Sequence, residues 1–111
     1  MKWMEVIQVR TAYNGGGKGF SVIQDRVANL RNAAGLLFIT LLKHQQYLGD
    51  IAAVLVWNDQ RQPVKTREGY ALADTMTQYG SIDHAVWEVV AEQQAMEESA
   101  ARQKRHKSKG I

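Results

Sequence analysis

Cysteine is absent from this 111-residue chain, which removes disulfides, thiolate metal sites and a thiol nucleophile in one stroke. The absence is compatible with a reducing compartment. Proline occurs once, at Pro63. Long apolar runs are missing too: the longest, Ile51 to Trp57, falls far short of the roughly 20 residues a membrane-spanning helix needs. At the N-terminus, Glu5, Gln8 and Arg10 interrupt what an export signal would keep continuously apolar. A soluble, cytoplasmic protein is therefore expected.

What is present is ordinary globular material, 45% hydrophobic and 23% charged, enough for one domain with a packed core. The net charge of +3 is misleading as a sign of nucleic-acid binding. Arg102, Lys104, Arg105, Lys107 and Lys109 cluster at the C-terminus, and without them nine basic residues face eleven acidic ones. The basicity belongs to a tail, no aromatic residue interleaves its charges as a base-stacking platform would require, and nucleic acid is not expected as a partner.

Trp3 to Ala12 is β-rich with partial alternation and reads as a first strand. Tyr13 to Gly19 holds four glycines and reads as a loop. Ser21 followed by Gln24 forms a capping-box pattern, Ile23, Val27, Leu30 and Ala34 follow at helical spacing, and Gly35 suits a left-handed helix end. Leu36 to His44 and Ile51 to Trp57 are apolar on both alternating faces and flank a turn, Gln45 to Asp50.

A polar connection, Asp59 to Lys65, leads to Thr66, which can cap a second helix carrying Leu72, Ala73, Met76 and Tyr79 and closed by Gly80. Ile82 to Val90 reads as a fourth strand, with His84 and Glu88 on one face and Asp83, Ala85 and Trp87 on the other. Ala91 to Arg105 lacks β-branched residues and favours helix. The expected organisation is an α+β, ferredoxin-like βαββαβ domain over residues 1–91, with a four-stranded antiparallel sheet and both helices on one face. Residues 92–111 would add a C-terminal helix and basic tail. Strands apolar on both faces need two covers; the helices supply one, and a second subunit is the economical source of the other. A homodimer is expected on that ground.

This order, together with Leu55-Val56-Trp57-Asn58-Asp59 before a capped helix near Arg67-Glu68-Gly69 and with His84 to Trp87 in the last strand, resembles the dimeric α+β barrel superfamily, in particular its antibiotic-biosynthesis-monooxygenase-like branch. The resemblance covers residues 1–90. It implies a barrel dimer, a pocket between sheet and helices, and a range of activities that includes cofactor-independent oxygenation and haem degradation. Haem-degrading members use an Asn in the first strand, a Trp near the third and an axial His on the second helix. Here Trp57 can match the Trp, but Gln8 stands where Asn would be and Thr66 to Tyr79 holds no His, so the resemblance points away from haem.

Chemistry-bearing candidates follow from polar groups on apolar strands. Asn14 to Gly19 has glycines suited to an anion but matches neither GxGxxG nor GxxxxGK[ST], and is read as a connection. His44, at a strand end, and His84 are the candidate general bases for a phenol or enol. His84 and Glu88 lie about 13 Å apart along the strand and do not pair directly. Gln8, Arg10, Thr40, Trp57 and Asn58 are the candidate ligand-binding residues of a mostly apolar pocket. Arg10 is suited to a carboxylate or enolate, or to pairing with Glu88 across an interface. With His106 in the tail, the three histidines do not compose a metal site, and neither metal nor cofactor is expected. Two functional readings result: a homodimeric small-molecule-binding protein of monooxygenase-like type, which oxygenates without a cofactor if catalytic, and a non-catalytic dimeric interaction module. A small apolar or aromatic molecule is the ligand of the first.

Overall fold

The computed structural model describes residues 2–11 and 17–95. Its elements run β1 (Trp3–Arg10), α1 (Gly17–Asn29), β2 (Leu36–Lys43), β3 (Ile51–Trp57), α2 (Arg67–Met76) and β4 (Ser81–Glu88). The strands form one antiparallel sheet ordered β2-β3-β1-β4. This is the βαββαβ arrangement that the pattern of apolar strands and capped helices predicts.

Alternation on the two central strands explains the layering. On β1, Trp3, Glu5, Ile7 and Val9 are buried; on β3, Ile51, Ala53, Leu55 and Trp57 are. These side chains share one face and join Ile23 of α1 and Leu72, Ala73 and Met76 of α2 in the hydrophobic core. Among the described residues, no helix lies over the other face of the sheet. Phe38 and Leu42 of β2 and Trp87 of β4 project from it 53%, 47% and 61% exposed. A bulge at Leu37 shifts the β2 register between Leu36↔Trp57 and Phe38↔Val56. Beyond it Ile39 and Leu41 oppose the core residues Leu55 and Ala53, while Phe38, Thr40 and Leu42 fall on the uncovered face.

Several boundaries differ from the sequence expectation. α1 begins at Gly17 rather than at Ser21, and Ser21 is an exposed residue inside it. The bare Cα of Gly19 lies against the Tyr79 ring, where a Cβ would come within 2.9 Å of Cδ1, so tertiary contact extends the helix into glycines of poor propensity. α1 ends at Asn29, well before Gly35. That glycine does take the positive φ, +85°, but in the entry to β2, where its carbonyl accepts a hydrogen bond from the Asn58 N–H at 2.8 Å. α2 stops at Met76 with Thr77 as C-cap, so Gly80 introduces β4 instead of closing the helix. Residues 91–95 have no regular structure. The remainder of the expected C-terminal helix, the basic tail, and Asn14 to Gly16 of the glycine loop lie outside the described residues. Among the described residues no helix is long and apolar enough to cross a membrane.

The connection between β3 and α2 is held by Arg61. Its guanidinium lies 4.8 Å from the centre of the Trp57 ring, donates to the Ala34 carbonyl at 3.1 Å and pairs with Glu68 at 3.1 Å. Burial pushes the Glu68 carboxyl up, but the hydrogen bond from Arg61, the backbone hydrogen bond at Glu68 and the charges of Arg61 and Arg67 together hold it below its ordinary 4.5. A carboxyl depressed by folding contributes stability that is complete above the unfolded value and is lost as pH falls through the folded one. Glu68→Gln is therefore expected to lower stability at pH 7 slightly and to flatten its decline below about pH 4.5. Urea titrations at a series of pH values measure this; an unchanged acid limb counts against the Arg61 pairing.

Candidate functional site

The most elaborate polar assembly is a cage around a carboxylate that the sequence reading passed over. Glu5 sits on the apolar stripe of β1 and is 0% exposed. Its Oε1 accepts from Trp57 Nε1 at 3.0 Å and from the Thr66 hydroxyl at 2.6 Å. Its Oε2 accepts from the Thr66 N–H at 3.0 Å and lies 2.7 Å from His84 Nε2. Thr66 caps α2 as expected, its Oγ1 accepting from the Gly69 N–H at 2.9 Å. One carboxylate thus ties β1, β3, β4 and the N-terminus of α2 together. The signal was present in the parity of β1: Glu5 shares its face with Trp3, Ile7 and Val9, and a charge on such a stripe has to be fully hydrogen-bonded when buried.

This cage determines the state of two candidates. The His84 side chain is 7% exposed, its ring held edge-on to Tyr70 at 5.4 Å; Nε2 meets an acceptor and is a donor there. Trp57 is a core residue with 0% exposure, stacked on Trp3 at 5.7 Å and 19°, with its N–H engaged by Glu5. It is not placed to line a pocket. Among the described residues, Trp57, Ile7, Leu55, Leu72, Met76 and Ile23, all 0% exposed, lie in the layer between sheet and helices where the family resemblance implies a cavity. The burial of these side chains and the absence of histidine from α2 do not fit a haem group.

The other candidates divide by face and by end. Asn58 follows β3 near Trp3: its carbonyl accepts from Trp3 Nε1 at 3.1 Å and its Oδ1 from the Gln60 N–H at 2.9 Å, a turn-forming role. At the opposite end of the sheet, Gln8 and Arg10 lie on the uncovered face, with Thr40 nearer its middle, opposite Val54. Arg10 finds its carboxylate within the chain: Nε lies 3.3 Å from Asp50 Oδ2, with the Arg10 side chain 74% and the Asp50 side chain 5% exposed. Glu88, the other partner considered for Arg10, pairs in register with Trp3 at the far end. His44 closes the β2–β3 turn. Its Nδ1 accepts from the N–H groups of Gln46 and Tyr47 at 2.9 and 3.0 Å, which requires a lone pair on Nδ1 and, in the neutral ring, puts the proton on Nε2. His44 is in this geometry a donor toward solvent rather than a base. The sheet therefore separates His84 from Gln8, Arg10 and Thr40.

Three open clefts meet at this end, the smallest, of about 360 Å³, lined by Gln8, Arg10, Ser81 and Asp83 among others. One of about 440 Å³ is lined by Arg10, Tyr47, Leu48 and Asp50 among others. The second, about 400 Å³, is lined by Gln8, Leu42, His44, Asp50 and Ala52 among others. Among the described residues no group of three or more His, Asp or Glu side chains is arranged to hold a metal ion.

By sequence the chain matches no family model and no curated protein. Its fold does match solved structures. SnoaB, a cofactor-independent oxygenase from Streptomyces nogalater, superposes with a TM-score of 0.63 at 19% identity, covering 86% of this chain and 98% of that one. The protein Rv0793 from Mycobacterium tuberculosis gives 0.64 at 5% identity over 85% and 100%. The heme-degrading protein Rv3592 from the same organism gives 0.54 at 18% identity over 85% and 100%. These similarities define the class of fold: a ferredoxin-like α+β chain with the architecture of antibiotic-biosynthesis-monooxygenase domains. At such identities they speak for the fold alone, and one fold hosts many chemistries.

Proposed function

We propose that the chain is a homodimeric small-molecule-binding protein of the monooxygenase-like fold, in which two sheets face each other and a ligand is held at the Gln8, Arg10 and His44 end. The observation that carries this reading is the uncovered sheet face. Phe38, Leu42 and Trp87 stand about half exposed or more on it, and contiguous exposed apolar surface of this kind marks an interaction site. A second copy laid over the face would also roof these clefts. Their volumes fall within the range of about 300–1,000 Å³ typical of ligand pockets.

A non-catalytic reading of the same dimer is favoured by one specific observation. Neither candidate base stands free beside a cleft: His84 Nε2 is held by Glu5 on the covered face, and His44 Nδ1 is taken by its own turn. Binding rather than turnover is what the geometry supports best.

Sedimentation equilibrium tests the proposal. The intact chain is expected to be a dimer at micromolar concentration. Phe38→Glu with Trp87→Glu, which puts charges into the face without touching the core, is expected to give a folded monomer by circular dichroism. A wild-type chain that stays monomeric at tens of micromolar refutes the dimer.

A further inference from the structure

We propose that the Arg10 cleft recognises small organic carboxylates with an aromatic or branched apolar body, Arg10 being the group that takes the carboxylate. The inference rests on the small-molecule reading above and specifies its ligand class.

Asp50 is the fixed point of the site. It is 4% exposed, its N–H donates to the Tyr47 carbonyl at 2.9 Å, and its own carbonyl accepts from the His44 N–H at 3.0 Å. Its carboxylate engages Arg10 through Nε. A guanidinium held by Nε has its Nη1/Nη2 edge on the other side of a planar group, and that edge is the fork that matches two carboxylate oxygens. The Arg10 side chain is largely exposed. Arg10 is thus anchored at one edge and open at the other, so a ligand meets a guanidinium already oriented.

Beside the polar Thr11 and Gln46, the cleft presents two large, largely apolar side chains. Tyr47 is 59% exposed and Leu48 52%; both line the same cleft as Arg10 and Asp50. The His44 ring packs against Tyr47 with centroids 4.8 Å apart, which steadies the tyrosine as a stacking surface. In the adjoining cleft the proton on His44 Nε2 adds a donor, and Gln8 an amide.

The charges nearby settle the class and the direction. Asp50 is compensated by Arg10. Asp83 lies on the other side, across from Gln8 in the β1–β4 pair, and disfavours an anion there, so the carboxylate belongs on the Tyr47 side. One arginine fork suits a planar monoanion better than a phosphate, whose additional charge and oxygens would find no second cationic side chain among the described residues lining the Arg10 and Tyr47 cleft; Lys43 lines the adjoining cleft, with its ammonium over the Phe20 ring.

The test is a calorimetric titration of the full chain with 2-naphthoate, 2-naphthol and inorganic phosphate. Naphthoate is expected to bind at least about tenfold more tightly than naphthol, and phosphate not measurably. Arg10→Lys keeps a cation beside Asp50 but loses the fork, and is expected to weaken naphthoate by about tenfold while leaving naphthol and the circular dichroism unchanged. Tyr47→Ala is expected to weaken both naphthyl ligands. If naphthol binds as well as naphthoate, or Arg10→Lys leaves naphthoate unaffected, the carboxylate inference fails and the small-molecule reading survives. Phosphate binding as tight as naphthoate also overturns it, in favour of unselective anion binding. If neither naphthyl ligand binds, both the inference and a ligand role for this end of the sheet fail, and only the dimer remains.

Discussion

Glu5→Ala is expected to destabilise the protein by about 3–5 kcal/mol, the range for removing one partner from a buried, hydrogen-bonded charge network. The variant leaves the N–H of Trp57, the N–H and hydroxyl of Thr66, and His84 Nε2 without their common acceptor. None can turn to water without opening the core. Against a total stability of about 5–15 kcal/mol for a domain of ordinary kind, that is a large share. Glu5→Gln keeps the shape but is not a silent replacement. Whichever position the amide nitrogen occupies, it meets an obligatory donor, Trp57 Nε1 on one side or the Thr66 N–H on the other. A loss of about 1–3 kcal/mol is expected for it. Urea unfolding at pH 7, followed by tryptophan fluorescence, measures both; a cost below about 1 kcal/mol for Glu5→Ala would show that the cage is not what fixes α2 to the sheet.

Gly69→Ala is expected to destabilise by about 2–3 kcal/mol, through overpacking. Its direction is opposite to the usual one, since Ala in place of Gly inside a helix normally gains about 0.8–1 kcal/mol. Here the N-terminal turn of α2 lies so close to β1 that a Cβ on residue 69 would overlap the Glu5 carboxyl group. Neither side can yield: the carboxylate is held by its donors, and the Gly69 N–H is held by the Thr66 cap. The two substitutions are therefore expected to be strongly non-additive. In the Glu5→Ala background the obstruction is gone, and Gly69→Ala should become neutral or mildly stabilising. A double-mutant cycle read by the same unfolding experiment decides this; additive costs would place the strain of Gly69→Ala elsewhere.

These two positions show where the reading of the sequence stopped. Thr66 was legible as a helix cap because capping chemistry is local: a side-chain oxygen at the right offset from a free N–H. Its second task, donating to a strand residue 61 positions away, leaves no local mark. β3 was legible to the residue, because an apolar run between a turn and a polar connection has sharp edges. The start of α1 was not, since glycine-rich sequence reads as loop and only the fit of Gly19 against Tyr79 overrides it.

The candidate site was half legible. Parity alone put Gln8 and Arg10 on one side of β1 and Glu5 on the other. Which side meets the helices is not a property of one strand. The pairing of Arg10 with Asp50 closes across the β1–β3 register and the turn before β3, so strand periodicity could not supply it. The same holds for His44, whose imidazole is occupied by backbone N–H groups only once that turn is formed.

Sequence alone, through periodicity and local chemistry, accounts for the six elements, the antiparallel ferredoxin-like order, the cap at Thr66 and two apolar sheet faces. Where the polar groups went was set by tertiary packing. It buried Glu5 against four donors, drew Trp57 and His84 into that cage, and set open clefts at the far end of the other face. The physical reason is that hydrophobic patterning is written along the chain, residue by residue, whereas satisfying a buried carboxylate requires donors from several elements to arrive together.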